Sequence, residues 1–232
     1  MSVVFRFDDD PELRDVRIGL VEASGLSWNR ASLGLDNRFQ ECLNEFRATN
    51  GSIVSKERKA AVRAMLRKGK YRPAGRGKPS SEYLFAAALE GTFPVVNFFV
   101  DAANLVSLVS GYPISLIDGE KAGSSLHLRL GREGECYVFN EGEQVIDVED
   151  LVCVCRNEGN DCVPTANPVR DSMATKLFAC ARSAIAVIYA PQGQEGQDLE
   201  SACDHLAGLL SEQSEAVHWA IVVPRPAKVK ET

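Results

Sequence analysis

One stretch limits what this chain can fold into more than any other: Phe93-Pro-Val-Val-Asn-Phe-Phe-Val-Asp-Ala-Ala-Asn-Leu-Val-Ser-Leu-Val-Ser-Gly-Tyr-Pro113. Its punctuation predicts a helix that begins near Pro94 and stops at Gly111. Most of its side chains are apolar, and three polar ones, Asn97, Asp101 and Asn104, recur at i, i+4, i+7. At ~100° per residue these three fall within a stripe about 60° wide. Val, Phe, Ala and Leu fill the rest of the circumference, and a helix apolar nearly all round is a buried one. A buried carboxylate flanked by two amides is costly unless each is paired. The stripe therefore either holds a structural hydrogen-bond network or lines a wet pocket.

The surrounding pattern predicts an α+β fold. Strand patterns fall at 16–23, 114–118, 125–130, 135–139, 151–155, 184–190 and 216–223. Helical periodicity marks 36–48, 52–68 (capped by Ser52 or Ser55), 80–90 and 198–211. Gly131-Arg-Glu-Gly134 and Asn140-Glu-Gly142 read as hairpin turns, and 192–197 as a polar loop. The expected architecture is a mixed sheet with helices gathered at its N-terminal side. Residues 1–90 form a mainly helical part, 91–223 a second region and 224–232 a flexible tail, all within one compact domain.

Charge is unevenly distributed. Residues 56–78 hold ten basic side chains and one acid, Glu57, so this window carries +9 and the remaining chain −15 of the net −6. An acidic globule with one basic segment points to a polyanion partner at one place. On a helix over 52–68, Lys56, Lys59, Arg63, Arg67 and Lys70 would share a face, without compensating acids at i±4. Arg72 continues the basic run into the Pro/Gly-rich loop 71–79, where Tyr71 is available either to stack on a base or to pack.

The seven cysteines form neither a framework nor a Cys-x-x-Cys pair, which predicts reduced thiols and a cytoplasmic home. Cys153 and Cys155 alternate on a strand, as core residues do, and Cys162 is placed in a following loop. No apolar run is long and unbroken enough for a membrane span. No histidine pair has metal-ligand spacing, and no metal or cofactor is expected.

The opening stretch continues as Asp101-x-x-Asn104-x6-Gly111-x-Pro113-x4-Asp118. This order resembles the B3/4 domain of the bacterial phenylalanyl-tRNA synthetase beta subunit, and more closely the free-standing proteins of that class. The likeness takes in Leu126-His-Leu-Arg129, Gly134-Glu135 and Arg170-Asp171-Ser172-x-x-Thr175, and covers roughly residues 80–190. It differs at Ser115, where the synthetase pattern carries a histidine, so no imidazole is available there.

The resemblance implies a trans-editing deacylase that hydrolyses the ester of mischarged tRNA. An activated ester needs only a positioned water, an oxyanion donor and a fixed substrate, which fits a chain with no recognisable Ser-His-Asp set. On that reading Asp101 orients the water or takes the substrate ammonium. Asn97 and Asn104 hold the ester carbonyl or a ribose hydroxyl, and Arg170 meets the terminal phosphate or the carbonyl. Ser115, Asp171, Ser172 and Thr175 line the pocket, and Asp118 fixes the turn after Pro113. Lys56, Lys59, Arg63, Arg67, Lys70 and Arg72 grip the tRNA backbone. Two other readings stay open: a tRNA- or amino-acid-binding module without turnover, and a metal-dependent hydrolase built on Cys153, Cys155, Cys162 or Asp8–Asp10.

Overall fold

The computed structural model describes residues 3–29, 37–193 and 196–224. The tail placed at 224–232 lies, past Pro224, outside the described residues, as do Asp36 and part of the 192–197 loop.

The fold is α+β, with two four-stranded sheets and a small ribbon. Its strands are β1 Val4–Phe7, β2 Val16–Ser24, β3 Ile114–Asp118, β4 Ser125–Leu130, β5 Cys136–Val138, β6 Val145–Asp147, β7 Val152–Glu158, β8 Asp161–Ala166, β9 Ser183–Pro191 and β10 Ala216–Val222. One sheet runs β1-β4-β7-β8 and is mixed, because β1 pairs parallel with β4 while the other pairs are antiparallel. The second, β10-β2-β9-β3, is antiparallel throughout. Strands β5 and β6 form the ribbon through the turn at Asn140–Glu143, as the Asn-Glu-Gly signal predicts.

The helices are α1 Asn37–Ala48, α2 Lys56–Met65, α3 Ser80–Glu90, α4 Phe98–Ser110, the one-turn α5 Gly119–Ala122 and α6 Gly196–Ser211. Helix α4 is buried over most of its circumference, packed against α3, α6 and β3. Apolar periodicity places Phe39, Leu43 and Phe46 of α1 in the same core. β9 is buried from Ala184 to Pro191, because it pairs with β2 and β3 at its edges and meets helices on its face. A second, smaller core gathers Val148, Leu151, Cys153, Cys155 and Val169.

Several boundaries differ from the sequence expectation. Helix α4 starts at Phe98, not near Pro94, because Asn97 is extended (φ −157, ψ 167) and caps the helix. Its C-terminus is where expected: Gly111 is left-handed (φ +77), and a Cβ there would lie 2.5 Å from Val54. Helix α2 is shorter than 52–68. Ser55 is its cap, and past Met65 the chain turns away to dock on Asp150. Lys70 N donates to Asp150 Oδ2 at 2.6 Å, and a Cβ on Gly69 would lie 2.2 Å from that carboxylate. Arg67 and Lys70 therefore do not continue the α2 face.

Gly131–Gly134 is not a hairpin turn between paired strands. β4 lies between β1 and β7, and Gly131 crosses the 148–151 segment so closely that a Cβ would lie 1.8 Å from the Val148 carbonyl. Cys162 sits in β8 rather than a loop. Strands β1, β6 and β8 give no clear alternation in the sequence.

Candidate functional site

A cavity of about 400 Å³ opens between α4, β3 and the segment that follows β8. Helix α4 and the residues before it supply Val96, Val100, Ala103 and Asn104; β3 supplies Ile114 and Leu116. The other wall is more polar, with Arg170, Asp171 and Lys176 beside Leu177, and Phe139 joins from the end of β5. Of the residues singled out by sequence, the fold brings Asn104, Arg170 and Asp171 together on this cavity.

The other candidates lie beside it. Asn97 Oδ1 accepts the Val100 N–H at 3.0 Å, and Asp101 Oδ1 reaches back to the Val96 N–H at 2.8 Å. Asn97 thus satisfies a free donor of the helix N-terminus, and Asp101 holds the residue before the cap, at an end where a carboxylate is also favoured by the helix dipole. Ser115 is fully buried on β3, its Oγ 3.2 Å from the Asn167 carbonyl and 3.0 Å from Tyr189 Oη. Asp118 caps α5 by accepting from Glu120 N and Lys121 N. Ser172 caps the short 3-10 turn Met173–Thr175, and Thr175 Oγ1 lies 2.7 Å from Thr165 Oγ1. These side chains hold the walls; they do not line the space.

The polar wall is fixed by residues that sequence reasoning missed. Asn167 Oδ1 accepts from Val169 N at 2.8 Å and Arg170 N at 2.9 Å, an Asx-type turn that aims the next residues. Tyr137 Oη donates to the Arg170 carbonyl at 2.6 Å. The Asn167-Pro168 dipeptide is a turn signal that could have marked this loop. The Arg170 guanidinium rests 4.8 Å from the Phe139 ring centre and 5.2 Å from that of Tyr83, contacts of the cation–π type.

Asp171 is the chemically distinctive group. Its Oδ2 accepts from Leu116 N at 3.1 Å, while Oδ1 is shut off from solvent with no donor in hydrogen-bonding geometry. Burial pushes its carboxyl up to about 6, against the opposing pull of the Ser115 hydroxyl, the Leu116 and Asn167 backbone and the Lys176 ammonium. A carboxylate tuned into that range and placed on a cavity can accept a proton near neutral pH.

The basic segment is partly neutralised by the fold. Arg58 pairs with Asp198, Arg63 with Glu82, Lys68 with Asp15 and Lys70 with Glu149. The acids absent at i±4 arrive from distant parts of the chain. Lys59 lies 4.3 Å over the Phe85 ring, and Lys56, Arg67, Arg72 and Arg76 are exposed. Tyr71 is half-buried against the small core, and its hydroxyl donates to the Gly77 carbonyl at 2.7 Å.

Among the described residues no three His, Cys, Asp or Glu side chains gather as a metal site, and no helix is long and apolar enough to cross a membrane. All seven cysteines are free. Burial raises the Cys153 and Cys155 thiols well above their usual value.

No family model matches this chain, and no curated protein does. A solved structure similar to it is an N-terminal fragment of the phenylalanyl-tRNA synthetase beta-subunit from Pyrococcus horikoshii, with a TM-score of 0.48 and 9% identity. The alignment covers 95% of this chain and 50% of that one, so the chain spans about half the length of the fragment.

Proposed function

We propose that the cavity receives the aminoacyl end of a charged tRNA and hydrolyses its ester. The observation that carries this reading is the cavity that brings Asp171, its carboxyl pushed up to about 6 by burial, together with Asn104 and Arg170. The motif order from Asp101 to Asp118 and from Arg170 to Thr175 supports it from the sequence side.

In this mechanism Asp171 takes a proton through Oδ2, since Oδ1 is closed to solvent, from a water whose oxygen bonds to the ester carbonyl carbon. Arg170 and the Asn104 amide stabilise the negative charge that develops on the carbonyl oxygen. The carbon–oxygen bond to the ribose then breaks, and Asp171 passes the proton it took from the water to the departing ribose oxygen. The products are a free amino acid and an uncharged tRNA. Asp101 and Asn97 act by fixing the start of α4, which carries Asn104. The exposed cations of 56–78 would hold the tRNA backbone, and the free thiols fit the reducing cytoplasm where such a substrate is found.

A second reading, binding of tRNA or an amino acid without turnover, is favoured by one observation: the position of the family's histidine is held by Ser115, which is buried in hydrogen bonds to the chain itself. Incubating the protein with a panel of charged tRNAs and following ester loss separates the two. Hydrolysis of at least one species, abolished by Asp171→Asn, is the expected result. Binding without ester loss across the panel would overturn hydrolysis in favour of the second reading.

A further inference from the structure

A second opening, of about 340 Å³, lies where the C-terminal half of α4 meets the start of α2 and one face of α6. Val100, Ala103 and Asn104 of α4 line the first cavity, and Val106, Val109 and Ser110 line this one, so the two share a helix and no residue. Its volume is roughly ten times that of a water molecule in the liquid, well above a packing void, and at the small end of ligand pockets. One side is apolar: Val54, Val106 and Ala202 are buried there, with Val109 half-buried beside them. The other side carries one ion of each sign, Arg58 of α2 paired with Asp198 of α6. The guanidinium is held in place, 4.4 Å from the Tyr112 ring centre and with Nη1 donating to the Ser110 carbonyl at 3.3 Å. The Asp198 side chain is 50% exposed and accepts from Arg58 through Oδ2. Ser201 and His205 follow it at i+3 and i+7, on the same face of α6.

We propose that this cleft is a binding site for a free aliphatic α-amino acid, its carboxylate on Arg58, its ammonium on Asp198 and its side chain against Val54, Val106 and Val109. The charge pattern selects the class. An anion alone would compete with Asp198 for the guanidinium, and a cation alone with Arg58 for the carboxylate, so either would leave one member of the pair poorly matched. A molecule with both charges on one carbon gives each ion an added partner instead. A guanidinium presents five donors in one plane, which lets it hold a second carboxylate beside Asp198. Asp198 Oδ1 has no hydrogen-bond partner among the described residues, and it takes the ammonium, with the Ser201 hydroxyl one turn along. The apolar side and the small volume then favour a short branched chain over a polar or bulky one. The proposal does not depend on how the first cavity is read.

The test is calorimetric titration of the full chain with leucine, leucinamide and N-acetylleucine. Leucine should bind, and each analogue, having lost one of the two charges, should bind about tenfold or more weaker, the scale of a charge-assisted hydrogen bond. Asp198→Asn should weaken leucine to a similar degree at an unchanged melting temperature, because an ion pair with a half-exposed partner adds little to stability. Val109→Phe, which fills the apolar side, should abolish binding without touching either charge. Equal binding of leucine and its two analogues overturns the proposal, as does the absence of saturable heat at about 10 mM leucine. Leucine binding that survives Asp198→Asn and Val109→Phe but is lost in Asp171→Asn places the amino acid in the first cavity; that result overturns this assignment and leaves the aminoacyl reading standing.

Discussion

Replacing Asp171 with Asn probes the site through folding as well as chemistry. The folded-state pKa is raised from 3.8 to about 6. Between those values the folded protein binds more protons than the unfolded chain, so stability falls as pH rises through that window. The cost of ionising this carboxylate is present in full above about pH 6 and absent below about pH 4. At about 1.4 kcal/mol per tenfold it amounts to roughly 3 kcal/mol. The amide introduced by Asp171→Asn does not ionise, so the variant lacks that slope while keeping an acceptor for the Leu116 N–H. Urea unfolding of both proteins at about pH 4 and about pH 7.5 isolates the effect as a difference of differences, cancelling every other titrating group. The wild type should lose about 2–3 kcal/mol more than the variant over that range. The same titration should appear in kcat/KM for ester hydrolysis, rising to a plateau above about pH 6. Parallel stability curves for the two proteins would refute the account, because a carboxylate that costs nothing to ionise is not held desolvated.

Asp101→Ala should lower stability by about 1–3 kcal/mol, or roughly 2–4 °C in Tm for each kcal/mol, since it removes a carboxylate cap at the start of α4. Asn104→Ala should suppress hydrolysis with little change in Tm; a calorimetric scan with an activity assay on both variants reads the contrast, and loss of activity at unchanged Tm in Asp101→Ala would return that residue to the chemistry. Charge reversal at Lys59 and Arg67 should weaken tRNA binding steeply and flatten its salt dependence by about one unit of slope per lost phosphate contact; unaltered binding would make the basic face a solvated surface only. Alkylation of the native protein, followed by peptide mass spectrometry, should label exposed Cys136 and Cys180 first. Cys203, its thiol pushed up to about 12 by burial, should stay unmodified with Cys153 and Cys155 until the chain unfolds.

The elements legible in the sequence are those whose period is enforced by burial on one side or all round. Helix α4 and strands β2 and β9 are packed so completely that most residues are apolar, and α6 and α1 show a single buried stripe. Strand β1 alternates only weakly, with Val4 and Arg6 exposed and Phe5 and Phe7 half-buried. Strand β8 is polar at one end, crosses a bulge opposite β7 and contains Pro164. Such edge strands are defined by their partners, and a partner such as β4, for β1, lies far away in sequence. The misreading of Gly131–Gly134 has the same origin: the turn residues are plain in the sequence, but which strands they join is set by the 148–151 crossing.

The polar stripe illustrates where spacing stops being informative about function. Residues at i, i+4 and i+7 share a direction, yet direction does not distinguish a side chain that turns back to free backbone donors from one that looks into a cavity. Asn97 is the cap itself, and Asp101 lies one turn inside the helix, still within reach of the Val96 N–H. Asn104 is a further turn along, beyond the last unpaired donor of the helix end, and it alone of the three lines the cavity. Polar residues in the first turn of a buried helix are thus explained by the helix, and one past it needs a different explanation. By the same reasoning the carboxylate to test first is Asp171, which lines the same cavity as Asn104 and caps no helix.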